Sequence, residues 1–323
     1  MRKSLTLACL AFASVLSLDA AAQAWPTKPI RFICAQAPGV PNDLALRWTG
    51  ERLSTKLGRP VVVENVLGAG GLIAAQQGAK AAPDGYTFLM AGIGNLATDR
   101  LMYKTLPYDP QKDFTPVGMI FDTLGFLVAV HPELPVKNIP ELIAYAKANP
   151  GKISYGSDTI GTTGLIGPWF NKRAGTDMVA VPYKNPGQLV QDIVAGRTQV
   201  VFYSIALLRP YRESGKVRAL AVTSERRYPT MPDLPTVGET LPGYRIGGMG
   251  MMVAPTGTPA EIVQRLNREI DPITRDPEYR ARLATFGFDN SDGARTLAGL
   301  EDVIRNEREY WGNLLRELNF EPQ

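Results

Sequence analysis

Short apolar runs of strand length alternate along the chain with longer segments of helical period, and turns rich in Gly and Pro separate them. Residues 30–37 form the first such run. The turn Pro38-Gly39-Val40-Pro41-Asn42 follows. Asp43 is then placed to open a helix with apolar positions Leu44, Leu46, Trp48, Leu53 and Leu57, stopped by Gly58. An Asp there accepts hydrogen bonds from the orphan amides of a first helical turn. The unit repeats. Strands are expected at 60–64, 87–91, 153–156 and 178–181, each followed by a polar or Gly-rich loop and a helix, with further strands at 198–203 and 217–223. Two more runs, 115–121 and 124–130, come between the repeats, and 247–254 returns as a strand. The tail carries two apolar stripes at helical spacing. One is Ile262, Val263, Leu266 and Ile270; the other is Leu300, Val303, Ile304, Trp311, Leu314, Leu315 and Leu318. Both read as core-packing faces.

Alternating strands and helices predict an α/β fold with a mainly parallel sheet flanked by helices. The pattern divides into two lobes. Lobe 1 is expected from residues 25–124 together with 225–323, and lobe 2 from 125–224, so the chain passes between them more than once. Several short crossings favour hinge bending over free tethering.

The N-terminus changes the picture of where the chain works. Arg2 and Lys3 precede a 14-residue apolar stretch, Leu5 to Leu18, and Ala22-Gln23-Ala24 gives a small-x-small cleavage pattern. A membrane span needs about 20 apolar residues. The segment 1–24 therefore reads as an export signal peptide, with the mature chain starting at Trp25 in the periplasm.

Composition is that of a globular chain, 45% hydrophobic and 20% charged, with a formal net charge of +4. The basic residues are scattered, which argues against a nucleic-acid surface. Past the leader only Cys34 remains of the two cysteines, and His131 is the single histidine. One thiol and one imidazole do not make a zinc site, and no metal or cofactor is expected. Gly68-Ala69-Gly70-Gly71 lacks the spacing of a nucleotide-binding loop, and no G-x-S-x-G elbow occurs. The chain is expected not to be an enzyme.

Ligands of open α/β sheets sit beyond the carboxyl ends of strands. Four loops there share a polar, Gly-rich character: 38–43, 92–95, 157–163 and 183–187. Amides at helix N-termini bind carboxylates without a lysine, and hydroxyls add neutral donors. The candidate ligand-binding residues are Gln36, Pro38, Gly39, Val40 and Asp43 after the first strand; Gly94 and Asn95 after the third; Ser157, Thr159, Thr162 and Thr163; and Tyr183 and Tyr203. The ligand expected from these loops is a small molecule, most simply a carboxylate.

A series of segments supports this from another direction. These include Trp25-Pro26-Thr27-Lys28-Pro29-Ile30, Pro60-Val61-Val62-Val63-Glu64-Asn65, Ala81-Ala82-Pro83-Asp84-Gly85-Tyr86-Thr87, Leu106-Pro107-Tyr108-Asp109-Pro110, Val181-Pro182-Tyr183-Lys184 and Ala254-Pro255-Thr256-Gly257-Thr258-Pro259. In number and order they resemble the periplasmic substrate-binding proteins of tripartite tricarboxylate transporters, the Bug (Bordetella uptake gene) receptors, over nearly the whole chain after the leader. The resemblance implies a two-lobed Venus-flytrap receptor of a family whose members bind small organic acids, amino acids and aromatic carboxylates and deliver them to a membrane permease; a monomer that captures a small mono- or dicarboxylate, aromatic or not, is expected here. It also implies that loops 38–43 and 157–163 hold one ligand carboxylate. Three loops depart from the family pattern, one of them where the usual Pro-Tyr-Lys-Gly ends in Asn185. The first family loop usually reads aromatic-Ala-Pro-Gly-Gly; here it is Gln36-Ala37-Pro38-Gly39-Val40. The second usually reads Gly-Thr-x-x-His-Leu; here it is Gly161-Thr162-Thr163-Gly164-Leu165. These departures keep open a neutral or zwitterionic amide or amino-acid ligand; a sensor that docks on a signalling partner is a second alternative, because it uses the same closed state.

Overall fold

A computed structural model of the chain describes residues 25–158, 162–290 and 296–322. The leader 1–24 and the candidate residue Thr159 lie outside the described residues. Among the described residues, ten strands form one continuous curled sheet with helices packed against it.

The first strand, β1 (Ile30–Cys34), pairs in parallel with β2 (Val61–Asn65) and β3 (Thr87–Ala91). Its side chains Ile30, Phe32, Ile33 and Cys34 are fully buried, as a near-continuous apolar run between two helical layers requires. The helix α1 (Pro41–Leu57) follows β1 and is closed by Gly58 in the left-handed conformation. It begins two residues before the position expected from Asp43. Pro41 occupies its first turn, where a missing N–H costs nothing and the fixed φ suits a helix, and Val40 rather than Asp43 is the N-cap.

A second parallel arm contains β5 (Ser154–Asp158), β6 (Val179–Tyr183) and β7 (Val200–Ser204). The arms are joined by β4 (Phe114–Val130). The two runs expected at 115–121 and 124–130 are one 17-residue strand. Its first part pairs antiparallel with β9 (Gly247–Pro255), and its last five residues pair antiparallel with β7. Register shifts along the β9 pairing accommodate the change from one arm to the other. On the far side of its second part lies β8 (Arg218–Val222), and the two-residue β10 (Phe288–Asp289) pairs beside its middle. The chain crosses once along β4 and returns between β8 and β9. Parallel pairing thus belongs to the arms and antiparallel pairing to the junction.

Both tail stripes are core faces. In α8 (Ala260–Arg275), Ile262, Val263, Leu266, Ile270 and Ile273 are buried, and in α10 (Leu297–Glu317) so are Leu300, Ile304, Trp311, Leu314 and Leu315. Arg308 of α10 donates to the carbonyls of Leu96 and Pro110 at 2.8 and 2.6 Å. It therefore pins the segment that follows β3. Among the described residues no helix is long and apolar enough to cross a membrane.

Candidate functional site

A cavity of about 350 Å³ opens at the carboxyl ends of β1 and β3, beside the start of β9 and the middle of β4. Its described lining comes from both arms. Ala35, Gln36, Asn42 and Gly70 contribute from the β1 and β2 side. Met90 and Ala91 end β3, residues 92–95 with Thr98, Asp99 and Tyr103 follow it, and Gly247, Gly248, Met249 and Gly250 open β9. Phe126, Thr162 and Thr163 come from the other arm. No Lys, Arg or His is among these residues.

The β1 wall is a folded-back loop held from behind. Asp43 is fully buried. Its Oδ2 accepts the Gly39 amide at 2.8 Å and Arg47 Nε at 2.9 Å, while its Oδ1 accepts Asn65 Nδ2 at 2.7 Å. Asn65 also donates to the Gln36 carbonyl at 2.8 Å. Burial pushes the Asp43 carboxyl up, but the bonds from Arg47, Asn65 and the Gly39 amide outweigh it and hold it below the usual carboxylate range. Gly39 has φ +83°, whereas Val40 is extended at φ −75°. The loop therefore needs one glycine, and a β-branched residue at 40 fits without strain.

The β3 wall is built by a wide turn. Gly94–Thr98 is a π-helical turn running into the single-turn helix α3 (Asp99–Met102). Such turns recur at functional sites. Here the turn sends Asn95, Thr98 and Asp99 to the cavity while Leu96 and Ala97 enter the core. Asn95 Oδ1 accepts the Gly92 amide at 3.2 Å. Asp99 Oδ2 accepts Tyr108 Oη at 2.7 Å and Asn95 Nδ2 at 3.4 Å. Burial pushes the Asp99 carboxyl up against the opposing pull of those two donors. Gly94 leaves the space that Asp99 occupies, since a Cβ there would stand 3.2 Å from Asp99 Oδ1.

Of the residues expected from the sequence, the structure brings Gln36, Gly94, Asn95, Thr162 and Thr163 to one cavity. Pro38, Gly39 and Val40 lie in the loop behind Gln36, and Asp43 points into the Arg47–Asn65 cluster rather than the cavity. Ser157 is buried in β5 opposite Pro182. Tyr183 Oη donates to Asp192 at 2.8 Å. Tyr203 is buried in β7 opposite Leu127. None of these last three is among the described lining residues. Sequence reasoning missed Asn42, Thr98, Asp99, Tyr103 and Phe126. The first of these was within reach, because Asn42 stands at the N-terminal turn of a predicted helix. Cys34 is fully buried in β1, a core residue as expected.

A family model described as "Tripartite tricarboxylate transporter family receptor" matches residues 45–320. The chain is 37% identical to a UPF0065 protein of Bordetella bronchiseptica, over 95% of this chain and 91% of that one. Among solved structures it is similar to Rpa4515 of R. palustris with adipate. The TM-score is 0.79 and the identity 32%, covering 93% of this chain and 100% of that one. It is also similar to MatC of Rhodopseudomonas palustris with bound malate, with TM-score 0.73 and identity 28%, covering 90% and 100% of the two chains.

Proposed function

The chain belongs to the tripartite tricarboxylate transporter receptor family, a family of solute-binding receptors and not of enzymes, and from that premise we propose that it captures a small organic acid between two closing lobes and hands it to a membrane permease. The lobes are 25–124 with 225–323 on one side and 125–224 on the other. The receptor works as a periplasmic monomer after removal of residues 1–24. The observation that carries this reading is the cavity itself. It takes polar groups from both arms, Gln36, Asn42 and Asn95 on one and Thr162 and Thr163 on the other, and no basic side chain from the described lining.

Such a wall recognises a carboxylate with neutral dipoles. The 17-residue helix α1 begins beside it, with the first-turn residue Asn42 in the lining. Unpaired first-turn amides and the aligned peptide dipoles favour an anion there. Hydroxyls at Thr162 and Thr163 supply contacts from the opposite arm. A ligand that touches both walls binds the closed form better and shifts the population toward it. Closure expels water and strengthens each donor–anion contact. The relatives with adipate and malate support a dicarboxylate-sized guest.

Calorimetric titration with succinate, malate, glutarate, adipate, aspartate and glutamate, with X-ray scattering alongside, tests the reading. Saturable heat for at least one acid and a smaller radius of gyration on binding are the expected result. An absence of heat for every acid, with unchanged scattering, would remove it.

A further inference from the structure

We infer that Asp99 is a specificity-determining residue: its carboxylate receives a nitrogen-borne donor of the ligand, an ammonium group, so that the receptor prefers a small zwitterion, carboxylate at one end and amine at the other, to a plain dicarboxylate. This rests on the receptor reading above and narrows it to a ligand class.

Three observations converge on the cavity floor. Asp99 lines the cavity yet is only 7% exposed, and it is paired with no Lys, Arg or His among the described residues. A buried anion without a counter-charge is costly. Its two hydrogen bonds, from Tyr108 and Asn95, both fall on Oδ2, which leaves Oδ1 without a partner among the described residues. The neighbouring Thr98, fully buried and also in the lining, has an Oγ1 with no hydrogen-bond partner there. Buried polar atoms are nearly always satisfied. An oxygen without a donor on each of two successive cavity-lining residues matches a group with several N–H donors, as an ammonium has. A second ligand carboxylate in that place would meet an anion of like sign across a low dielectric. The same ligand's carboxylate remains free for the neutral donors of α1 and the Thr162–Thr163 turn.

Titration calorimetry with matched pairs tests the inference: succinate against β-alanine, glutarate against γ-aminobutyrate, adipate against δ-aminovalerate, with aspartate and glutamate added. The wild-type chain is expected to bind the best nitrogen-bearing probe at least about tenfold more tightly than its dicarboxylate partner, the scale of a charge-assisted hydrogen bond. Asp99→Asn should weaken that probe by about tenfold or more and tighten the dicarboxylate, reversing the order. Thr98→Val should weaken the same probe by severalfold and leave the order intact. A melting curve for each variant confirms folding. Dicarboxylates that bind the wild type more tightly than every nitrogen-bearing probe, and lose affinity in Asp99→Asn, would mean that Asp99 is protonated and donates to an anion. That result overturns the inference and leaves the receptor reading standing. Failure of every probe to bind overturns both.

Discussion

Two buried acids stand at the ends of neighbouring strands and live in opposite circumstances. Asp43, after β1, is ringed by Arg47, Asn65 and the Gly39 amide, and its carboxyl is held below the usual range. Asp99, after β3, has two neutral donors on one oxygen and none on the other, and burial pushes its carboxyl up. The first acid spends its charge inside the protein, where it shapes a loop. The second lines a cavity and keeps one oxygen without a hydrogen bond among the described residues. Burial alone therefore says little about the role of a carboxylate; the count of partners decides it.

The largest effect is expected at Asp43. Asp43→Ala removes the acceptor of three hydrogen bonds, two of them from groups packed behind the loop. A loss of about 3 kcal/mol in urea unfolding is expected, on the scale of several buried bonds to a charged group. Gly39→Ala acts on the same loop through its backbone. An L side chain at φ +83° should cost about 1–2 kcal/mol even though the space around its Cβ is open. Asp99→Asn is expected to go the other way and raise stability by up to about 1 kcal/mol, as happens where function retains an uncompensated group. A variant at 99 that is as damaging as one at 43 would erase the distinction.

Acid titration of stability sharpens the contrast with its sign. The depressed Asp43 carboxyl contributes in full above its unfolded value of about 4 and loses that contribution as pH falls through its lower folded value. The gap between wild type and Asp43→Asn should stay constant from neutral pH down to about 4 and close only below it. The raised Asp99 carboxyl behaves inversely. Its cost is present in full above the folded value and fades as pH falls through that value toward about 4. The small advantage of Asp99→Asn should therefore shrink between neutral pH and about 4. Denaturation midpoints across that range measure both gaps, and parallel slopes would contradict the assignment.

Much of the architecture was legible because it depends on local pattern. The period-2 and period-3.6 runs marked most strands and both tail helices, and the Gly-rich loops marked three walls of the cavity. The strand Phe114–Val130 was read as two because Asp122 and Thr123 break its apolar run. Pairing with β9, β7 and β8 holds the backbone extended across that break. Asp99 was missed for a related reason. Flanked by Thr98 and Arg100, it has the look of a solvated turn; in the fold it accepts a hydrogen bond from Tyr108, nine residues on, while the α10 residue Arg308 holds Leu96 of the same turn.

The succession of strands and helices, the helix-opening loops and the family are written in the order of residues, since each is carried by neighbours along the chain. Which polar side chains share a cavity, and which of two acids is neutralised, follows only from the folded packing. Those outcomes depend on partners such as Asn65 and Tyr108, supplied by other elements once the sheet has closed around them, and an electrostatic environment is a property of neighbours in space.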